Sequence, residues 1–341
     1  MDHIERFYAT IERRAVDRPA SWLGIPDGSA LPGLFKYFKV ENYIALKAKL
    51  NDDIFPVEMP YHSPTSNAIY AAFNFAKKTP GSIDQRTLTA PGFFEYFTDP
   101  DDVNKFNWPD PAKYIDRSLC RKVCEEVPAG YAVMGALWSC HFQDACAAFG
   151  METALIKMLT DPEMFRAVID RITQFYLEAN EIFYESTRGK IHAILIGNDF
   201  GSQTGLMVNP ELLREFVFKG TRELIAQAKS YGLKVIHHSC GSIYEIIPDL
   251  IDAGADAIHP IQALAANMEP ARLKQAYGDR VSFCGGVDAQ ELMVNGTPEQ
   301  VKVKITELKQ IFPTGLIISP SHEAILPDTN PANIEAIFAT C

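Results

Sequence analysis

The chain has 341 residues, 47% of them hydrophobic and 22% charged, with a formal net charge of -11. That length accommodates one large domain or two smaller ones. The acidic balance argues against non-specific binding to nucleic acid or to an anionic membrane, since both demand a basic surface.

No apolar run approaches the ~20 residues that span a bilayer, and the start, Met1-Asp2-His3-Ile4-Glu5-Arg6, lacks the apolar stretch of a signal peptide. A cytoplasmic protein acting on a small molecule or a protein partner is expected. Seven scattered cysteines do not make a secreted disulfide framework and are expected as thiols. Cys120 and Cys124, four apart in a helical stretch, read as packing residues.

In chain order, residues 19–25 read as a first strand. Residues 51–110, rich in Pro, Asn and Asp with several aromatics, read as long loops and short helices that form either a lid or substrate-selective wall, or a decorative loop. A strand is expected at 132–137, then helices across 142–159 and 162–187. From about residue 190, short apolar runs at 191–196, 233–236, 257–261, 281–283 and 316–318 alternate with amphipathic patterns, the signature of βα units. Asn209-Pro210-Glu211, Thr297-Pro298-Glu299 and Asn330-Pro331 each place a capping side chain before a proline at the first helical position. Ser242-Ile243-Tyr244-Glu245 has capping-box spacing. Gly232, Gly254 and Gly278 fall where helices should stop.

With no linker, low-complexity tract or short repeat, one domain over 1–341 is expected. The rhythm predicts an α/β fold, a (β/α)₈ TIM barrel with N-terminal loop and helix insertions. An open doubly wound sheet is the runner-up, disfavoured because neither GxGxxG nor GxxxxGK[ST] occurs. A barrel requires functional side chains at the C-terminal ends of its strands.

Polar groups stand at those ends: Asn198-Asp199, His237-His238-Ser239-Cys240, Gln262, Asp288 and Ser321-His322-Glu323. His238 and Cys240, two positions apart leaving a strand, point to one face. An imidazole and a thiol converging in this way suit Zn²⁺ better than Mg²⁺ or Ca²⁺. His322 is the expected third ligand, leaving a fourth position for water, substrate or a protein oxygen. Cys284 is its rival, although its place before Gly285-Gly286 suggests packing, and His237 should face away from His238. Asp199 and Asp288 read as substrate-binding groups, as partners orienting an imidazole, or as helix caps.

Arg18-Pro19, Gly197-Asn198-Asp199-Phe200-Gly201, His238-Ser239-Cys240-Gly241-Ser242, Gly285-Gly286-Val287-Asp288, Ser319-Pro320-Ser321-His322 and Asn330-Pro331-Ala332-Asn333-Ile334 together resemble the uroporphyrinogen decarboxylase superfamily. Within it the resemblance is to the zinc-dependent corrinoid methyltransferases, of the methyltransferase I or O-demethylase type. It implies a barrel enzyme that moves a methyl group from a small methylated donor to a corrinoid (cobalamin) on a partner protein. His238, Cys240 and His322 would hold Zn²⁺, and Asp199, Gln262 and Asp288 would orient the donor. The later ligand is typically Cys in the coenzyme M methyltransferases, so His322 at the matching position points away from a thiol acceptor but not from metal binding; the donor expected is an O-methyl compound. The alternative, a decarboxylase of porphyrin synthesis, carries an arginine-rich RQAGRY-type motif. No such motif occurs here, and residues 22–38 hold no arginine.

Overall fold

The structure, a computed structural model, describes residues 1–76 and 90–341. Seven parallel strands pair in sequential order: β1 Ile54–Glu58, β2 Ala132–Trp138, β3 Ala193–Gly197, β4 Lys234–His238, β5 Ala257–Ile261, β6 Ser282–Val287 and β7 Leu316–Pro320. Helices between them cover the outer face, which is why the central strands read as continuous apolar runs. β3, β5, β6 and β7 are buried at every position.

Alternation along each strand divides the core in two. On β3, Ile194 and Ile196 join the large cluster under the helices, whereas Ala193 and Leu195 join a smaller one. All seven strands contribute to the smaller cluster, through Ile54, Ala132, Met134, Ala193, Leu195, Ile236, Ala257, Cys284 and Ile317. A sheet whose every strand reaches one compact cluster must curl around it. The helix His3–Ile11, capped by an Asp2/Glu5 capping box, adds Phe7 and Ile11 to the same cluster.

The sheet's two edges meet through residues 20–22. Trp22 N–H donates to Ile318 O at 3.0 Å and Ile318 N–H to Ala20 O at 2.8 Å, while Asp53 N–H donates to Ser21 O at 2.9 Å. The strand expected at 19–25 is therefore an irregular segment with a single bridge, Ser21 to Ile318, and a two-residue pairing of Ile25–Pro26 with Ala324–Ile325. β1 lies in the stretch read as loops. Pro56 interrupts its pattern, and the strand tolerates proline because it is an edge of this sheet. The lid expected in 51–110 falls partly on 77–89, outside the described residues.

Three further expectations change. β4 and β6 run longer than their apolar cores, so His237 and His238 are strand residues and Cys284–Val287 lie within β6. The helix expected over 142–159 is two, His141–Phe149 and Met151–Thr160, broken at Gly150 with φ +83°. Ser242 caps no helix: a 3₁₀ turn at Tyr244–Ile246 leads into Ile247–Asp252, and Ser242 N–H donates to Ser202 O instead. The helix Pro162–Ser186 and the caps at Asn209, Thr297 and Asn330 form where expected. Among the described residues, no helix is long and apolar enough to cross a membrane.

Candidate metal centre and its cavity

Parallel pairing in register builds the site. Gly197, His238 and His259 are consecutive partners across β3, β4 and β5. A Cβ at Gly197 would lie 1.9 Å from His238 O, so only glycine lets β3 approach β4 at this level. Beyond His238 the chain turns at Gly241, φ +83°. Gln262 Oε1 accepts from Gly241 N–H at 2.8 Å, and Ser239 Oγ accepts from Phe200 N–H at 3.0 Å. These bonds tie the loops after β3, β4 and β5 into one rim.

Cys240 Sγ stands 3.5 Å from His238 Nε2. Asp199 Oδ1 lies 3.2 Å from the same nitrogen and accepts from Cys240 N–H at 3.0 Å. Asp199 Oδ2 accepts from Gln143 Nε2–H at 3.0 Å. On the other side of the ring, His238 Nδ1 is 2.9 Å from His259 Nδ1 and 3.5 Å from Glu323 Oε2. Among the described residues, the donor atoms of Asp199, His238 and Cys240 come within 4.8 Å of one another, as do those of His238, His259 and Glu323.

His322 belongs to neither group. Its ring lies 6.3 Å from that of His238, nearly perpendicular, and the neighbouring Cys240 thiol holds it above the usual imidazole range. Its Nδ1 accepts from Ala324 N–H at 3.0 Å. Of the three expected ligands, His238 and Cys240 share a group that Asp199 completes, and His322 borders it. Asp288 lies apart: its carboxylate accepts from the N–H groups of Gln290, Glu291 and Leu292. Gln262 holds Gly241 as described. Cys284 is fully buried against Ser319 Oγ, and burial pushes its thiol up to about 12. His237 faces away and stacks on Phe200.

The electrostatics favour a charged pair. Burial would raise the Cys240 thiol, but hydrogen bonds from His238 and His322 bring it below its ordinary value. Burial would likewise depress His238, yet Glu323, Asp199 and Cys240 together hold it well above the usual imidazole range. Asp199, despite burial, is held well below the ordinary carboxylate range by its bonds to His238 and Cys240. Burial, with His238 and His322 nearby, keeps His259 neutral.

A cavity of about 330 Å³ opens over this cluster. Asp199, His238, His322 and Glu323 form its floor, Trp138 and Tyr70 supply rings, and Glu58 projects from the end of β1. Trp138 ends β2 at φ +61° and packs edge-on against His238, centroids 5.8 Å apart. Glu58, Trp138, Tyr70, His259 and Glu323 carried no assigned role in the sequence. Glu323 was visible beside His322, and His259 sits inside an apolar run that concealed it.

A model of the uroporphyrinogen decarboxylase (URO-D) family matches residues 81–341. The chain belongs to the uroporphyrinogen decarboxylase family. It is similar to the methylated-thiol–coenzyme M methyltransferase of Methanosarcina mazei, 28% identical over 223 residues, which are 64% of this chain and 55% of that protein. The match therefore spans about half the relative's length. In fold it is similar to a methyltransferase from Methanosarcina mazei, with a TM-score of 0.68 at 17% identity, covering 100% of this chain and 98% of that one. The two chains share the fold described here, an α/β chain with a curled parallel sheet.

Proposed function

We propose that this family member is a zinc-dependent methyltransferase that moves a methyl group from a small methylated donor, an O-methyl compound, to a corrinoid on a partner protein. The seven strands together with residues 20–22 are read as the eight staves of a (β/α)₈ barrel whose mouth is the cavity. The observation carrying the reading is the His238–Cys240 pair, whose imidazole stands on the cavity floor with the thiol beside it. Their 3.5 Å separation matches the ~3.5 Å edge of a tetrahedral zinc site with bonds of about 2.05 Å to nitrogen and 2.3 Å to sulfur. The donor set is equally suited: a thiol biased toward thiolate and an imidazole with a second nitrogen already engaged by His259.

His238, Cys240 and His322 would hold the ion, with Asp199 the oxygen donor at the same nitrogen. When bound, zinc supplies a Lewis acid for the donor's departing oxygen. The chain's own residues do the remainder. Glu323 and His259 fix the His238 ring, Gln143 and the Cys240 N–H fix Asp199, and Trp138 lines one wall.

A polycarboxylate tetrapyrrole fits poorly. Glu58, Asp199 and Glu323 face the cavity, and among the described residues no Lys or Arg lines it, so substrate carboxylates would meet like charge. A methylated thiol, the substrate class in the relative's name, is the second reading.

The test is to incubate the protein with a reduced corrinoid protein and paired O-methyl and S-methyl compounds, following the methylated corrinoid by absorbance. Turnover of O-methyl compounds alone supports the proposal. Turnover of S-methyl compounds alone moves it to the second reading, and release of carbon dioxide from a porphyrinogen overturns it. Zinc analysis should give about one ion per chain, lost in His238→Ala and Cys240→Ala. Comparing His322→Ala with Asp199→Asn decides which is the third ligand.

A further inference from the structure

The cavity's three carboxylates are not equivalent. Asp199 is committed to Cys240, Gln143 and His238, and Glu323 lies 3.5 Å and 3.6 Å from His238 and His322. The Glu58 side chain has no hydrogen bond or ion pair among the described residues; it is exposed at the end of an ordered strand paired to Ala136. At the cavity's edge water alone solvates its carboxylate, and a ligand's ammonium or hydroxyl can take that water's place with a charge-assisted hydrogen bond. Trp138 and Tyr70 line the same space, and aromatic faces attract cations and repel anions.

We propose that Glu58 is a specificity-determining residue, which binds a positively charged or hydrogen-bond-donating group on the methyl donor and excludes donors that carry an anion. The proposal rests on the reading of this cavity as the methyl-donor site. The donor's methyl end lies at the His238 floor, beside Cys240, and its opposite end at the Glu58 wall. An ammonium there gains a charge-assisted hydrogen bond and an aromatic face, whereas a neutral hydroxyl gains the hydrogen bond alone. A carboxylate or sulfonate would face Glu58 directly, and like charges across a site are a strong device for rejecting a ligand.

The test uses three compounds of one shape: ortho-methoxybenzylamine, ortho-methoxybenzyl alcohol and ortho-methoxybenzoate. Their binding to the full chain is measured by calorimetry, independently of turnover. The expected order is amine, then alcohol, then benzoate, with the amine favoured over the benzoate by about ten-fold or more. Glu58→Gln, close to isosteric, should erase that preference, and Glu58→Lys should reverse it. Equal binding of amine and benzoate to the unaltered chain, an unchanged ratio in Glu58→Gln, or no binding by any of the three overturns the assignment. Binding in the expected order with no methylated corrinoid formed from any of them would overturn the proposed methyl transfer and leave the role of Glu58 standing.

Discussion

At the scale of single residues, the arrangement around His238 shows how one imidazole is aimed. Its Nε2 faces Cys240 and Asp199, so its Nδ1 must be stabilised from behind, and His259 lies there at 2.9 Å in the adjacent strand. One of the two Nδ1 atoms carries the shared proton. With His238 as donor, His259 keeps its own proton on Nε2, a buried atom without a partner among the described residues. A second imidazole used in this way fixes both tautomer and ring orientation. His259→Phe keeps an aromatic ring of similar bulk but removes the acceptor. Zinc affinity, read by competition with a chromophoric chelator, is expected to fall by about 10- to 100-fold. Unchanged affinity would reduce His259 to a packing residue.

At the scale of elements, the site depends on how closely β3 and β4 approach at their C-terminal ends. Gly197→Ala would force its Cβ into His238 O, 1.9 Å away. The strands would separate at the level where His238 leaves β4. A loss of about 1–3 kcal/mol or more is expected from overpacking of this kind, measured from urea midpoints, together with loss of bound zinc. A helix cap far from the mouth provides the contrast. Thr297 accepts from Gln300 N–H and Gln300 Oε1 accepts from Thr297 N–H at the start of the helix Pro298–Ile311. Thr297→Ala should cost about 1 kcal/mol and leave zinc content unchanged. The pair of variants separates damage to the fold from damage to the site.

At the scale of the whole molecule, the end of the sheet opposite the cavity is tied to the N-terminal helix by one buried carboxylate. Asp53, fully buried, accepts from Arg6, Arg18 and the Ser21 N–H, and pairs with His3. Asp53→Ala would leave Arg6 buried without this partner, and a loss of about 3 kcal/mol is expected, visible as a lower urea midpoint. Acid stability has a separate origin. Burial depresses both His141 and His192 below the ordinary imidazole value, so the folded chain keeps them neutral. The unfolded chain protonates them below pH ~6.5. Their effect is absent above that pH, and stability falls as pH drops through it. His141→Gln should flatten the decline in urea midpoint between about pH 7.5 and 5.5; an unchanged slope would place the acid sensitivity elsewhere.

The amino-acid order alone determined what is local. Period and composition placed the strands from 132 onward, and cap chemistry placed the helices at Asn209, Thr297 and Asn330. Two-residue spacing put His238 and Cys240 on one face, and the distinctive segments around them pointed to the family that the chain belongs to. Tertiary structure decided what depends on neighbours from other strands. β1 was hidden because Pro56 breaks its pattern, and only its position at a sheet edge makes that proline harmless. His259 was hidden because a histidine in an apolar run has no local mark, and only the β4–β5 register sets it behind His238. Likewise Asp288 and Asp199 looked alike as carboxylates after strands. One turns back onto the three N–H groups that follow it, and the other reaches across to Cys240. Side-chain type and spacing along a chain report the face on which a group lies; the groups it meets depend on strand register and curl, which are settled by packing over the whole sheet.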